Sequence, residues 1–455
     1  MPNTEEFYAQ LNTRTDRTKE SAVQSLLNEY FPFLKSAESA LDRAKQPAPP
    51  KEKQKQDWVV ALNLATDFGS ECSIEKRTNK LKELAADTKG KDVTILVQAT
   101  VKDGDKYKLE RFAINNGEIK KLESPGQSQG YGKDVESLLK FAGASYDAKN
   151  LGLILDSHGS GNGGLTGDNG QLPLVDMQKV VKDGLVGSGH EKLELLQFNA
   201  CLMGQNGVLE SSQSLAKHVV ASAEPEGTGA QGRDFDNFVF KELLKNPKMS
   251  PSDLADVAVK HAKDCPSDFP TLAHFDMEKY GKFRQSLDGF GEKMAKLCDD
   301  PKQLEVIKAI LKDTYGYGAS ARFGVGGVLE QLQHLFGGKE ASSPGTEGGF
   351  LSNFLRREET GKRDLTDFVS RVLLAIGKGQ LKDEDGSLKK AAQAVLVDGT
   401  ALIKSASISG EARKNAGGLS AFLPHAPNLY GSGDPMPSNK GGWRVFQQQL
   451  LKYAK

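Results

Sequence analysis

Leu151-Gly-Leu-Ile-Leu-Asp-Ser-His158-Gly-Ser-Gly161 and, further along, Leu193-Glu-Leu-Leu-Gln-Phe-Asn-Ala-Cys201-Leu-Met-Gly204 decide how this chain is read. Each is an apolar run of strand length that ends on a reactive side chain. The first delivers an imidazole into a glycine-rich turn, the second a thiol into a short loop before a helical stretch. The roughly 40 residues between them leave room for one crossover helix, so the two strands can lie side by side and parallel. Ligands of open α/β sheets gather at the carboxyl ends of such strands, and a thiol beside an imidazole there has the parts for nucleophilic catalysis.

Working outward, strand and helix patterns alternate. Trp58–Leu64, Val93–Val101, Tyr107–Ile114, Leu151–Leu155, Leu193–Phe198 and His218–Ser222 read as strands. Ile74–Ala86, Val135–Ala142, Leu174–Leu185 and Val208–Ala216 read as helices. This predicts an α/β fold with a mostly parallel central sheet flanked by helices. Residues 1–57 form an N-terminal arm, with an amphipathic stretch around Ala22–Leu41 and a proline- and charge-rich linker up to Asp57. The core is expected over 58–235 and a mainly helical elaboration over 236–455. Helices are expected there at Pro251–Lys263, Met277–Leu297, Gln303–Asp313, Leu365–Ile376, Leu388–Lys404 and Trp443–Tyr453. Gly337–Gly349 reads as an exposed loop, and a late strand over 417–424 rejoins the core.

Composition narrows the function classes. Lys plus Arg and Asp plus Glu number 60 each, so no basic surplus points to nucleic acid. No apolar stretch approaches the ~20 residues of a membrane span, and the N-terminus shows no signal peptide, so the expectation is a cytoplasmic protein, with secretion by another route left open. Cys72, Cys201, Cys265 and Cys298 are too sparse for a disulfide framework, and no C-x-x-C pair suggests zinc. Only Cys201 stands in a reactive context; the others read as small buried hydrophobes. His158 supplies an acid/base, and the backbone N–H groups of Gly159 and Cys201 stand at strand ends where an oxyanion could be held.

Two rivals are weaker. Gly159-Ser-Gly-Asn-Gly-Gly164 fits the G-x-G-x-x-G dinucleotide fingerprint, but glycines continue to Gly170 where a helix should open. Asp383-Glu-Asp-Gly386 has the composition of a calcium loop without the later Glu, and a solvated charged turn is expected. No cofactor is required on this reading.

Taken together, His158-Gly-Ser-Gly161, Phe198-Asn-Ala-Cys201-Leu-Met-Gly204 and Val219-Val-Ala-Ser-Ala-Glu-Pro-Glu-Gly227 resemble the clostripain family of cysteine peptidases, relatives of gingipains and caspases. Arg363–Phe368 and Gly418–Pro424 are also similar to later family segments. The resemblance implies a caspase-like α/β sandwich, a His158/Cys201 dyad, protein or peptide substrates and, often, self-cleavage; some relatives bind calcium. Family members commonly carry Asp two residues before the nucleophile, where it pairs with Arg or Lys at P1; here that residue is Asn199. Glu224, Glu226 and Asp234 are the nearby carboxylates able to take its place on the substrate wall. The segment after the first strand, Ala65-Thr-Asp-Phe-Gly-Ser70, also departs from the family pattern. The alternative is a catalytically degenerate relative acting as an interaction protein, with residues 1–57 as a partner-binding arm.

Overall fold

The computed structural model describes residues 53–69, 72–227, 229–317, 361–410, 413–423 and 441–453. The expected helix at Ala22–Leu41 and loop at Gly337–Gly349 lie outside them, as does the C-terminal end of the late strand.

Strand β1 (Gln54–Leu64) starts inside what reads as linker and leads to α1 (Ile74–Lys82). The hairpin β2 (Val93–Asp103) and β3 (Lys106–Asn115) follows, then the short strands β4 (Glu118–Lys121) and β5 (Gly126–Gln127). Helix α2 (Tyr131–Ser145) runs directly into β6 (Tyr146–Asp156). Three short strands, β7 (His158–Gly159), β8 (Leu165–Gly167) and β9 (Gly170–Leu172), form a separate sheet before α3 (Leu174–Leu185). Next come β10 (Leu193–Asn199), α4 (Asn206–Ser212) and β11 (Ala216–Ala221). The remainder is α5 (Ala230–Lys245), α6 (Pro251–Ala262), β12 (Thr271–Asp276), α7 (Met277–Leu297), α8 (Pro301–Asp313), β13 (Lys362–Asp364), α9 (Leu365–Gly377), α10 (Ser387–Leu402), β14 (Ile403–Ile408), β15 (Ser420–Phe422) and α11 (Gly442–Tyr453).

The central sheet has ten strands, in the order β14-β12-β11-β10-β6-β1-β2-β3-β4, with β5 also on β3. From β11 to β2 all neighbours are parallel, and antiparallel strands close both sides. Side chains of β1 alternate between two cores, as the period of two requires. Val59 and Ala61 pack with α2, α3, α7 and α9 on one face; Trp58, Val60, Leu62 and Leu64 pack with α1, α5 and α6 on the other. A sheet buried on both faces accounts for apolar runs such as Leu193–Phe198 that lack an apolar/polar alternation.

Two expectations need correction. The division expected after residue 235 falls within α5, and the sheet continues beyond it through β12 and β14, neither of which the sequence pattern revealed. The late strand pairs with β13 rather than with the central sheet; Ser420 bridges to Gln205 and bonds to Gly204, and Leu419, Ala421 and Leu423 are buried in the core.

Candidate active site

Parallel pairing of β6 with β10 sets Asn199 opposite Asp156, so both strands end at the same level. Past those ends the Ser157 N–H donates to the Asn199 carbonyl at 3.3 Å. His158 and Gly159 then turn into β7, and Gly159 lies against the cysteine loop. A Cβ at residue 159 would sit 2.2 Å from the Cys201 carbonyl oxygen and 3.0 Å from the Cys201 nitrogen. Only glycine allows that approach.

The Cys201 loop is fixed from its other side by the chain leaving β11. The Leu202 N–H donates to the Glu224 carbonyl at 3.1 Å, and the Gly204 N–H to the Ser222 carbonyl. The Glu226 N–H points at Cys201 Sγ, 3.2 Å away. Leu202 is held at φ +65°, a left-handed conformation that costs a leucine on the order of 1–2 kcal/mol. Its side chain is buried, which keeps the turn in place. Cys201 is half-buried, whereas the other three thiols are fully buried. Burial pushes Cys72 and Cys298 up to about 12 and Cys265 to about 11, holding them as inert thiols.

The His158 ring meets the Phe68 ring edge to face, with centroids 5.1 Å apart. Burial lowers its pKa below the ordinary histidine value, against the pull of Asp168 and Asp156. Phe68 belongs to the divergent segment after β1. Asp168 ties that segment down: its Oδ2 accepts the Asp67 N–H at 3.0 Å, and its own N–H donates to the Ala65 carbonyl.

Asn199 and Glu226 belong to one acidic cluster. Asn199 Nδ2 donates to Asp236 Oδ1 at 2.9 Å. Arg77 from α1 forks onto both carboxylate oxygens of Asp156 and stands 3.7 Å from Asp236. Burial pushes Asp236 up to about 6 despite Arg77. The carboxyl of Glu226 is raised well above the usual range by burial and by repulsion from Asp156, Asp236 and Asp268. Its Oε1 is buried without a hydrogen-bond partner among the described residues. Glu224 is differently placed, its Oε1 accepting from Tyr315 at 2.7 Å and from Arg413 at 3.4 Å. Asp234 lies half-buried on α5, two residues before Asp236. Arg77, Asp156 and Asp236 were not picked out by motif, because their meaning lies in contacts between α1, β6 and α5.

The glycine run after His158 forms one 3₁₀ turn over Gly161–Gly163 and then enters β8, so no helix opens on it as a dinucleotide site requires. In the Asp383 turn, the carboxylate oxygens accept the N–H groups of Leu388 and Lys389, capping α10. Among the described residues no group of three His, Cys, Asp or Glu side chains could hold a metal, and no helix is long and apolar enough to cross a membrane.

A sequence profile of the clostripain family matches residues 65–431. The chain belongs to the clostripain family of cysteine peptidases. A search of curated protein sequences finds no match. Among solved structures, a secreted C11 cysteine protease from Bacteroides thetaiotaomicron bound to an irreversible peptide inhibitor is 11% identical, with 86% of this chain and 99% of that one covered and a TM-score of 0.52. An inactive zymogen C11 protease from Parabacteroides distasonis is 14% identical over 82% of this chain and 94% of its own, with a TM-score of 0.48. This clostripain-like peptidase therefore has the caspase-like α/β architecture expected from its sequence.

Proposed function

We propose that the chain is an endopeptidase in which His158 takes the proton of Cys201 and the thiolate attacks the scissile carbonyl. The Gly159 and Cys201 N–H groups face the oxyanion, and His158 returns the proton to the departing amine. Water, deprotonated by the same imidazole, then releases the acyl group. The observation that carries this reading is the packing of Gly159 on the Cys201 backbone, which sets the two strand ends side by side. No step of this chemistry calls on a metal, and four free cysteines suit a reducing, cytoplasm-like compartment.

The same proposal gives the enzyme a preference for Arg or Lys at P1. Asn199 carries no charge, but it leans on Asp236, and Glu226 has an unpartnered oxygen beside the nucleophile loop. A guanidinium or ammonium entering there would meet carboxyl groups that Arg77 alone does not neutralise. Glu224, already engaged by Tyr315 and Arg413, contributes less. Self-processing, where it follows, favours Lys192 in the loop before β10 over Lys179 and Lys182, which lie within α3. The dibasic Arg356-Arg357, a further basic candidate for such cleavage, lies outside the described residues.

A peptidyl-Arg electrophile tests the reading. It should label Cys201, and Cys201→Ala and His158→Ala should each lose at least ~10⁴-fold in kcat because the pair acts as a unit. An unreactive Cys201 in a folded protein would favour the non-catalytic interaction protein, and hydrolysis by Cys201→Ala would remove the assignment.

A further inference from the structure

Behind the His158 turn, a crevice of about 40 Å³ lies between α4, α7, β15 and α11. A water needs roughly 10–15 Å³ of such space, so the crevice has room for more than a single solvent molecule. Its wall combines Asn162, Glu210, Arg284, Asp288, Trp443 and Arg444. The charges are unevenly paired. Arg284 is bound to Glu210 and lies 3.7 Å from Asp288, which also accepts the Trp443 backbone N–H at 3.1 Å. Among the described residues Arg444 has no such counterpart, and its Nε and Nη1 are buried without a hydrogen-bond partner there. Trp443, 5% exposed, likewise leaves its indole N–H unpartnered.

Unpaired donors in one wall could be an accident of loose packing, but this wall is tight. A Cβ at Gly442 would come within 2.2 Å of the Asp288 carbonyl, and one at Gly291 within 2.4 Å of the Trp443 Cα. The start of α11 is thus pressed onto α7 and cannot shift to find partners. Buried donors are ordinarily satisfied, and the Nε and Nη1 donors of half-buried Arg444 depart from that rule.

We infer that this crevice binds a small oxyanion, the carboxylate or phosphate class, through the Arg444 guanidinium and the Trp443 indole N–H. The planar fork of arginine suits two oxygens of such a group, and bonds to a charged acceptor are the strong ones. The crevice also touches the loop that carries His158. Asn162 lines it, and the Asn162 N–H donates to Gln205 Oε1 at 2.8 Å on the chain following Cys201. A bound anion would therefore brace both loops from behind.

Calorimetric titration of the full chain with inorganic phosphate and, separately, acetate, against chloride at constant ionic strength, tests the site. Saturable binding of either is expected, and the tighter of the two identifies the source. Arg444→Gln should weaken it by roughly tenfold or more, the loss of one charge-assisted contact. Arg444→Lys, which keeps the charge and loses the fork, should fall between. Melting temperatures of the unliganded variants confirm that they fold. Absence of saturable binding in the wild type, or a folded Arg444→Gln that titrates like it, overturns the proposal.

Discussion

Two polar clusters, one partly exposed and one buried, sit at different places in the same sheet and obey different rules. On its β12 side, His218 Nδ1 meets His274 Nε2 at 3.0 Å, and His274 Nδ1 meets Asp256 at 2.8 Å. Ser405 of β14 completes the chain by donating to Asp256. Asp256 is supplied with two donors, and Asp276 adds a second carboxylate facing both rings. At the ends of β6 and β10, Arg77 meets Asp156 and Asp236, Glu226 is repelled by both and by Asp268, and among the described residues one Glu226 carboxyl oxygen has no hydrogen-bond partner. The first cluster fastens an antiparallel extension onto a parallel sheet. The second keeps an electrostatic deficit that a cationic side chain would relieve. A balanced network suits a structural joint, and an unbalanced one beside Cys201 suits the substrate pocket proposed above.

Removing one group from each cluster should break the comparison most sharply. Arg77→Gln strips the guanidinium from buried carboxylates and should destabilise by about 3–5 kcal/mol, because the acids left behind are uncompensated. His274→Ala removes a satisfied hydrogen-bonding group and a buried ring, for about 1–3 kcal/mol from the polar contacts. Its kcat/KM should stay near wild type. Denaturant melts with peptidase assays check both; equal stability losses, or a collapse of activity in a folded His274→Ala, would mean the clusters are not distinct in kind.

The ease of reading the sequence divides along a similar line. The bounds of α3 and α7 match the pattern, and the cores of β6 and β10 were visible as apolar runs, since local periodicity and burial on both faces dictate them. β12 and β14 were missed because Thr-Leu-Ala-His-Phe-Asp and Ile-Lys-Ser-Ala-Ser-Ile carry weak apolar signals; their strand character comes from distant partners. His158 and Cys201 were legible because each ends an apolar run. Asp236 was not, since nothing local distinguishes it from Asp234; only Asn199 and Arg77, far away in sequence, give it a role.

Glu226→Gln should sharpen the charge argument. Its carboxyl is raised in the folded protein, so it contributes stability that is present below the unfolded-state value and lost as pH rises through the folded one. Glutamine removes that loss, and stability at neutral pH should increase. The same change should weaken turnover of P1-Arg and P1-Lys substrates while leaving neutral P1 residues less affected. A bound cation favours the ionised carboxyl, so wild-type KM for P1-Arg should fall as pH rises, a trend flattened in Glu226→Gln. Thermal melts and KM profiles over pH check this. A less stable Glu226→Gln with unchanged P1-Arg kinetics would place the carboxylate outside the substrate pocket.

The smallest expected effect concerns Phe68, whose ring edge shields His158. Burial disfavours the imidazolium, which favours the neutral ring that the proposed proton transfer from Cys201 requires. The acidic limb of kcat/KM that His158 governs should therefore lie below the usual histidine value. Phe68→Leu replaces a flat ring by a smaller branched chain and admits water to one side of the imidazole. The His158 pKa should climb back toward 6.5, carrying the acidic limb upward by a fraction of a unit, while the plateau rate changes little. Cys201 and its loop, fixed by the chain leaving β11 rather than by Phe68, should keep their reactivity toward a peptidyl electrophile at pH 8. Measuring kcat/KM from pH 4 to 9 for both proteins separates a change in the imidazole's surroundings from a general loosening. An unmoved acidic limb with a lowered plateau would mean that Phe68 positions the substrate instead of tuning the histidine.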